Sequence, residues 1–273
     1  MTHGQVRIQS VVGMPKIDGS VPHSARVWNY LVGGKDWFES DREAAEQICA
    51  ALPVLGDVAK YGRDFLGRAM RYLAGEAGIR QFLDVGTGVP TANNTHEVAQ
   101  SIAPESRIVY VDNDPIVLVH ARSLLVGTTE GATDYIDADV HDPDTILREA
   151  GRTLDFGEPV GLMLIGIMNF VVDDQESRDI VARLLAPLAP GSYLTIQHPA
   201  SEDAGMVECI RRWNEVGKDK LTCRSRADVA RYFAGLEMVE PGVVTLNEWR
   251  PDPGTPKTIV PSYAAMGHKS ATT

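Results

Sequence analysis

The stretch Gln81-Phe82-Leu83-Asp84-Val85-Gly86-Thr87-Gly88 decides the fold, because an apolar, β-rich run enters a glycine turn and then a polar helix start. Glycine at positions 86 and 88 lets the backbone turn sharply and approach a ligand without a Cβ atom in the way. Asp84 stands just where the strand ends. This order is typical of a nucleoside-cofactor site, although the same turn also occurs as plain punctuation between a strand and a helix.

Two further strand-like segments also end in acids. The run 107–111 leads into Asp112-Asn113-Asp114-Pro115, and the run 135–140 closes on Asp139. Asp114 before a proline is a helix-cap pattern, which leaves Asp112 as the acid placed to accept the two ribose hydroxyls of a nucleoside. Asp139 is the candidate for an adenine amino group, or else a surface acid in a turn. Because acids are rarely buried without a partner, three such strand ends in series indicate a ligand site.

Strand-like and helix-like segments alternate from residue 79 onward, which predicts a mostly parallel sheet with helices on its faces. The two strand-like segments at 237–249 and 258–266 have no helix between them and predict a closing hairpin. Two helices that precede the sheet, separated by Leu52-Pro53, are expected to form a lid or outer layer. The predicted organisation is a flexible arm (1–22), a helical cap (23–77) and a cofactor-binding domain (78–273).

Composition limits the possible functions. The chain has 273 residues, 44% of them hydrophobic and 23% charged, as expected for one soluble enzyme domain with a small cap. Its net charge of −11, with no basic stripe to offset it, argues against nucleic-acid binding. The nearly apolar run 160–172 is too short to span a bilayer and no signal-like N-terminus is visible, so a cytoplasmic location without membrane attachment is expected.

Nothing in the spacing of cysteine and histidine predicts a metal site. Cys49, Cys209 and Cys223 are far apart in sequence, and the seven histidines form no pair of the kind that binds zinc. The carboxylates occur at strand ends and not as a ligand cluster. We therefore expect a mechanism without a metal ion.

These segments resemble the class I S-adenosylmethionine (SAM) methyltransferases, and more closely a bacterial subgroup of predicted methyltransferases of unknown substrate. The closer resemblance rests on residues 25–36, 79–88, 109–115 and 241–244. It implies a Rossmann-like α/β fold, with a mostly parallel sheet, a C-terminal antiparallel hairpin and N-terminal helices. It also implies that the turn at 86–88 holds the methionine part of SAM, that Asp112 binds the ribose, and that Asp139 with Val140 faces the adenine. Asp84, Thr87 and Asn113 complete the cofactor-binding set expected at these strand ends.

The segment 26–35 is a second candidate for cofactor contact, because it combines a cation, aromatic rings and two glycines just before the sheet. Arg26 is predicted to bind the SAM carboxylate and Tyr30 to pack over the ligand, as parts of a lid. The alternative is an ordinary amphipathic helix that ends at the Gly33-Gly34 pair.

Two departures from the relatives concern the chemistry. The relatives often carry Leu-His after the fourth strand, where this chain has Met168-Asn169. They often carry Asn-Arg where this chain has Gly62-Arg63. We therefore assign no catalytic residue. Asn169 and His198 both follow apolar strands and could each touch a substrate, or could be a core amide and a turn residue.

The sequence predicts a SAM-dependent methyltransferase that acts on a small molecule, with a protein as the less favoured acceptor. A SAM-binding protein without catalysis is the alternative left open by Met168-Asn169. An NAD-dependent oxidoreductase is less well supported, because Thr91 occupies the third glycine position of the dinucleotide fingerprint. The acceptor atom and the oligomeric state are left open.

Overall fold

The computed structural model describes residues 18–90, 93–117 and 127–271. Its helices within these ranges are α1 (Ser24–Leu31), α2 (Glu39–Cys49), α3 (Leu55–Arg71), α4 (Thr95–Ile102), α5 (Pro143–Ala150), α6 (Asp174–Leu185), α7 (Ala204–Val216) and α8 (Arg226–Arg231). The strands are β1 (Gln81–Val85), β2 (Arg107–Asp112), β3 (Ala132–Asp137), β4 (Gly161–Ile165), β5 (Tyr193–Pro199), β6 (Glu237–Met238), β7 (Val244–Thr245) and β8 (Ser262–His268).

All eight strands form one sheet in the order β3-β2-β1-β4-β5-β8-β6, with β7 also paired to β8. Strands β1 to β5 are parallel, whereas β8 runs antiparallel to β5, β6 and β7. The mostly parallel sheet and its antiparallel C-terminal end are therefore confirmed. The order of strands places the end of β1 between the ends of β2 and β4, where the strand connections change direction and α/β proteins bind ligands.

The C-terminal hairpin differs in extent from its prediction. The segment 237–249 forms only the two short strands β6 and β7, separated by Pro241 and by Gly242, which has a φ of +83°. Proline donates no backbone hydrogen bond and a positive φ turns the chain away from an extended path, so this pair interrupts the predicted strand. Its partner begins at Ser262 and not at residue 258.

Helices cover both faces of the sheet, as the alternation of side chains along the strands requires. Phe82 of β1 packs with α1, α2, α3 and α7, whereas Leu83 and Val85 point into a second core with α5, α6 and α8. Tyr110 and Val111 of β2 divide between the same two cores. The two predicted helices on either side of Leu52-Pro53, which are α2 and α3, lie outside the sheet.

Most predicted helix starts are found where the sequence placed them. The carboxylate of Asp142 accepts a hydrogen bond from the amide of Thr145 at 3.0 Å and begins α5, and that of Asp114 accepts one from Ile116 at 2.9 Å. A helical turn follows at residues 115–117, and the helix predicted to reach about residue 126 lies mostly outside the described residues. In the described ranges, no helix combines the length and the hydropathy needed to cross a membrane.

Candidate functional site

A cavity of about 470 Å³ opens where the carboxyl ends of the parallel strands meet. Its walls come from the strand ends on one side and from α1, α2, α3 and α7 on the other. Eight of the ten residues predicted to bind the cofactor line it: Asp84, Gly86, Thr87, Gly88, Asp112, Asn113, Asp139 and Val140. The fold therefore brings these residues, which are spread over three strand ends, around one space.

The glycine turn has the conformation that its sequence predicts. Gly86 and Gly88 have φ values of +79° and +67°, and the amide of Gly86 donates to the carbonyl of Val111 at 2.8 Å. A Cβ atom on Gly86 would lie 2.6 Å from Cβ of Ile167, whereas one on Gly88 would meet nothing within 4 Å. Gly86 is thus required by close packing and Gly88 by backbone conformation, and the turn is open on the side of Gly88.

Asp84 lies behind this turn and is only 5% exposed. Its Oδ2 atom accepts a hydrogen bond from Oγ1 of Thr95 at 2.5 Å. Burial raises the pKa of Asp84 to about 6, an effect that the hydroxyl of Thr95 and the charge of Arg63 reduce but do not cancel. Asp84 is therefore a buried carboxylate whose charge changes close to neutral pH.

Asp112 closes the turn from the end of β2. The backbone amides of Gly88 and Asp114 donate to its two carboxylate oxygens at 2.7 and 3.0 Å. Burial raises the pKa of Asp112, while these two hydrogen bonds act in the opposite direction. The amides fix the orientation of the carboxylate, and each oxygen retains a lone pair for a ligand hydroxyl.

Asp139 lies beyond the end of β3 and is half exposed. Its carboxylate accepts hydrogen bonds from Nδ2 of Asn113 at 2.9 Å and from Nδ1 of His141 at 2.7 Å. Partial burial acts to raise the pKa of Asp139, but the hydrogen bonds with His141 and Asn113 outweigh it and the pKa lies below the usual value. Asp139 is therefore an ionised acceptor at the outer edge of the cavity.

Arg26 and Tyr30, the two remaining predicted contacts, are not among the residues that line the cavity. Nε of Arg26 lies 3.0 Å from Oδ2 of buried Asp41, and its Nη2 donates to the carbonyl of Val21 at 2.6 Å. Tyr30 instead packs edge to face on Trp37, with ring centroids 5.1 Å apart. The prediction for Arg26 is corrected accordingly, because a guanidinium that neutralises a buried carboxylate of its own chain is not placed to bind that of SAM.

Helix α1 reaches the cavity through other side chains, including those of Val27, Trp28 and Leu31. The helix ends at Leu31, Gly33 follows with a φ of +82°, and the amide of Gly34 donates to the carbonyl of Asn29 at 2.8 Å. This is the helix with a glycine C-cap that the sequence offered as the alternative to a lid. Whether the segment closes over a bound ligand stays a prediction.

Arg63 of α3 is a site residue that the sequence identified only as a departure from relatives. It lines the cavity, and its Nη2 atom donates to the carbonyl of Asn93 at 3.2 Å, beside the glycine turn. Burial lowers the pKa of Arg63, while the charge of Asp84 acts to raise it. Arg63 thus brings a partly buried positive charge to the end of the cavity where the carboxylate of a methionine group is expected.

The ends of β4 and β5 supply amides in place of acids. Asn169 and Gln197 line the cavity and are 8% and 4% exposed. Oδ1 of Asn169 has no hydrogen-bond partner among the residues that the structure describes. Gly62 of α3 lies opposite, and a Cβ atom there would be only 2.9 Å from Oε1 of Gln197. A larger residue at position 62 would therefore displace the Gln197 side chain.

His198 does not line the cavity and instead supports the loop that carries Asn169. Its Nδ1 atom is 3.0 Å from the carbonyl of Pro199, and its Nε2 atom is 3.0 Å from Nη1 of Arg224. The carbonyl requires a proton on Nδ1 and the guanidinium requires a lone pair on Nε2, so the ring is neutral. Complete burial, together with the charge of Arg224, lowers the pKa of His198 to about 4.

Arg224 holds the loop between β4 and α6 in place. Its guanidinium donates to the carbonyls of Met168 and Val171 at 3.0 and 2.7 Å and pairs with Asp174 at 2.9 Å. Since Met168 directly precedes Asn169, Arg224 fixes the position of the cavity-lining amide. No local pattern in the sequence identified this arginine, because its partners lie about 50 residues away along the chain.

Comparison with known proteins shows the family of this chain. A family model described as S-adenosyl methyltransferase matches residues 11–270. The chain belongs to this family. It is therefore a SAM-dependent methyltransferase, as the resemblance of its strand ends predicted. The curated proteins include no match to it.

Solved structures agree with this assignment. A DUF574 family protein from Streptomyces avermitilis is 44% identical, with a TM-score of 0.90 over 93% of this chain and all of that one. A candidate methyltransferase from Thermobifida fusca is 40% identical, with a TM-score of 0.86 over 96% of this chain and all of that one. Magnesium protoporphyrin IX methyltransferase from Synechocystis, solved with bound S-adenosylhomocysteine, shares 10% identity and a TM-score of 0.52 over 89% of this chain and 93% of its own. This last likeness shows the class I methyltransferase fold alone.

Proposed function

We propose that the methyltransferase binds SAM along the glycine turn and the three strand-end acids, and that its acceptor is a small molecule held in the same cavity. The observation that carries this proposal is the convergence of Gly88, Asp112 and Asp139 on one wall of a cavity that continues past the ends of β4 and β5. A volume of about 470 Å³ is within the usual range for small-molecule sites.

The residues present fit the cofactor. Asp112 retains lone pairs for the ribose hydroxyls, and Asp139 with Val140 offers an acceptor and an apolar contact to the adenine. Arg63 replaces Arg26 as the cation for the methionine carboxylate, because it lines the cavity. Asp84, when ionised, would attract the positively charged ammonium group in the methionine part of SAM. The open side of the turn at Gly88 leaves space for the ligand.

When bound, SAM supplies a methyl group on a sulfonium sulfur, which a nucleophile can displace. The contribution of the chain is mainly to align the acceptor, since such a displacement depends on geometry more than on acid–base help. Asn169 and Gln197 are the polar groups at the ends of β4 and β5 that can orient an acceptor. Of the residues that the structure describes, no group of three or more histidine, cysteine or acidic side chains is arranged to hold a metal ion.

The wider setting is part of the same proposal. A net charge of −11 disfavours nucleic acid as the acceptor. We further propose that residues 23–77 act as a cap on the SAM-binding region 78–273, that the segment 26–35 orders over the bound cofactor, and that the enzyme works in the cytoplasm.

Calorimetry tests the proposed cofactor site. The purified protein should bind SAM and S-adenosylhomocysteine and should not bind NAD. Asp112→Ala removes the acceptor of the ribose hydroxyls and should weaken both ligands by about 1.5–3 kcal/mol, the range for hydrogen bonds to charged groups. Asp137→Ala is a matched control, because Asp137 is an exposed acid at the end of β3 that does not line the cavity.

Tighter binding of NAD than of SAM would refute the cofactor assignment. Unchanged SAM affinity in folded Asp112→Ala would refute the role given to this residue. Release of S-adenosylhomocysteine in the presence of an acceptor distinguishes the enzyme from a protein that only binds SAM.

A further inference from the structure

The ends of β4 and β5 line one part of the cavity, which we call the second compartment, and the residues there restrict what the methyl acceptor can be. We propose that the acceptor is a compact, largely apolar molecule with a hydroxyl or amino group, and that Oδ1 of Asn169 accepts a hydrogen bond from this group. The inference rests on the proposed function, because it assigns the acceptor of the same reaction.

The first observation is how the lining residues are distributed. The carboxylates assigned to the cofactor stand at the ends of β1, β2 and β3, and Arg63 of α3 lies beside the glycine turn, whereas α7 follows β5 and packs against α2. Apart from Arg63, the side chains that α2, α3 and α7 contribute to the walls are mostly apolar and buried, with Ile48, Leu55, Val58, Met206, Ile210 and Trp213 among them. Apolar walls of this kind favour an apolar ligand, because the binding free energy comes from removing both surfaces from water.

The second observation is the unpartnered amide oxygen. Asn169 is 8% exposed, lines the cavity, and has no hydrogen-bond partner for Oδ1 among the described residues. A buried acceptor without a partner destabilises the protein. A ligand that donates an O–H or N–H group to Oδ1 removes this cost. An ionised carboxylate or phosphate has no proton to donate, so such a group would leave Oδ1 of Asn169 without a partner.

The orientation of Asn169 is set before any ligand binds. Arg224 holds the carbonyl of Met168, and the amide of Thr222 donates to the carbonyl of Asn169 itself at 2.9 Å. Both contacts use the backbone and leave the side-chain amide directed at the cavity. A fixed acceptor of this kind discriminates strongly between a ligand with a donor group and one without.

Three further charged residues line this compartment, of which two lysines lie toward solvent and Asp219 is partly buried. Lys218 and Lys220, in the loop after α7, line the cavity but are exposed, and the carbonyl of Asp219 between them accepts a hydrogen bond from Nε1 of Trp213 at 2.8 Å. They therefore form the mouth of the compartment and not its floor. Since one cavity of about 470 Å³ holds both cofactor and acceptor, the acceptor is small.

Binding of three naphthalene probes to the whole protein tests this assignment. Calorimetry would compare 2-naphthol, 2-naphthylamine and naphthalene, with and without saturating S-adenosylhomocysteine. We expect all three to bind, and the hydroxyl and amino compounds to bind about five- to tenfold more tightly than naphthalene. Anionic 2-naphthoate should bind more weakly than 2-naphthol.

Three variants test which residue accepts the hydrogen bond from the hydroxyl or amino group of the probe. Asn169→Ala should reduce the preference for 2-naphthol over naphthalene to about onefold and leave S-adenosylhomocysteine binding unchanged. Asn169→Asp keeps an acceptor oxygen and should keep the preference. Asn113→Ala is the matched control, because Asn113 lines the same cavity beside Asp139, and it should weaken the cofactor without changing the probe preference.

Each alternative outcome overturns a specific claim. If S-adenosylhomocysteine binds but no naphthalene probe does, or if a peptide or an RNA is methylated instead, the apolar acceptor is refuted. If the probes bind and folded Asn169→Ala keeps the preference, the role of Asn169 is refuted. Failure to bind SAM and S-adenosylhomocysteine refutes the proposed cofactor site, and the probe preference without cofactor still tests the compartment.

Discussion

The two halves of the cavity lie at the same edge of the sheet but differ in electrostatic character. At the ends of β1 to β3 the polar groups are carboxylates, and Asp112 is oriented by two backbone amides. At the ends of β4 and β5 the polar groups are the uncharged amides of Asn169 and Gln197. The charged half suits a cofactor with fixed charges, and the uncharged half suits a neutral acceptor.

Asp84 of the charged half and His198, which lies behind the uncharged half, both have pKa values displaced by burial, and these two displacements have opposite consequences. Burial raises the pKa of Asp84 to about 6 and lowers that of His198 to about 4. Between pH 4 and 6 the native state therefore holds a proton on Asp84 that the unfolded chain releases. In the same range it excludes from His198 a proton that the unfolded chain binds. The two contributions to the stability of the native enzyme oppose each other.

The largest loss of stability is expected for a substitution outside both halves, at Arg26. Arg26→Ala leaves the buried Asp41 carboxylate without its cation, and loss of one partner of a buried pair costs about 3–5 kcal/mol of stability. Chemical denaturation would measure this change. Arg42→Ala, which removes an arginine of α2 from two surface ion pairs, should have a much smaller effect.

The ligand dependence of Arg26→Ala decides whether this residue belongs to the charged half. If Arg26 acts only through the fold, the variant weakens SAM and adenosine by the same factor. A variant that keeps its stability and weakens SAM more than adenosine would restore Arg26 as the contact of the methionine carboxylate and would move the boundary of the charged half to α1.

The sequence placed the acids of the charged half at one edge of the sheet because its signals there are local. Asp112 and Asp139 each follow a strand directly, and parallel strands bring such residues to one edge. The residue type of Arg26 also suited a carboxylate, but its true partner depends on how α1 packs against α2. Arg63 and Arg224 were not assigned for the same reason, since their contacts join segments that only the folded chain brings together.

The C-terminal strands show the same limit on prediction. The absence of a helix after residue 237 correctly indicated an antiparallel end to the sheet. The prediction continued one strand through Pro241-Gly242, whereas the backbone geometry of this pair breaks the strand in two. Stability and pairing of short strands depend on their neighbours in the sheet more than on intrinsic propensity.

The second prediction addresses the uncharged half through His198. The native pKa of about 4 lies below the usual 6.5, so the unfolded chain binds a proton that the native chain excludes, and stability falls as the pH drops from about 6.5 to 4. The full difference corresponds to about 3 kcal/mol. His198→Gln keeps an acceptor for Arg224 and cannot be protonated, so the variant should lose this part of the pH dependence.

Urea denaturation of wild type and His198→Gln at pH 4.5, 5.5 and 6.5 gives the comparison. The stability difference between the two proteins should change in favour of the variant as the pH falls. A constant difference across this range would mean that His198 titrates alike in the native and unfolded states, and that the uncharged half does not depend on a neutral imidazole.

The last prediction concerns Asp84, whose native pKa of about 6 lies above the usual 3.8. Here the native state binds the extra proton, so its contribution to stability is complete below about pH 4 and is lost as the pH rises through 6. Asp84→Asn keeps an acceptor for Oγ1 of Thr95 without the charge. It should therefore gain up to about 2–3 kcal/mol over wild type between pH 4 and 7. Combined with His198→Gln, it should restore a pH dependence close to that of wild type, because the two opposing contributions are then both removed. If Asp84→Asn follows the wild-type stability at every pH while the histidine variant does not, the charged half carries no buried ionisation cost, and the two halves differ in their ligands alone.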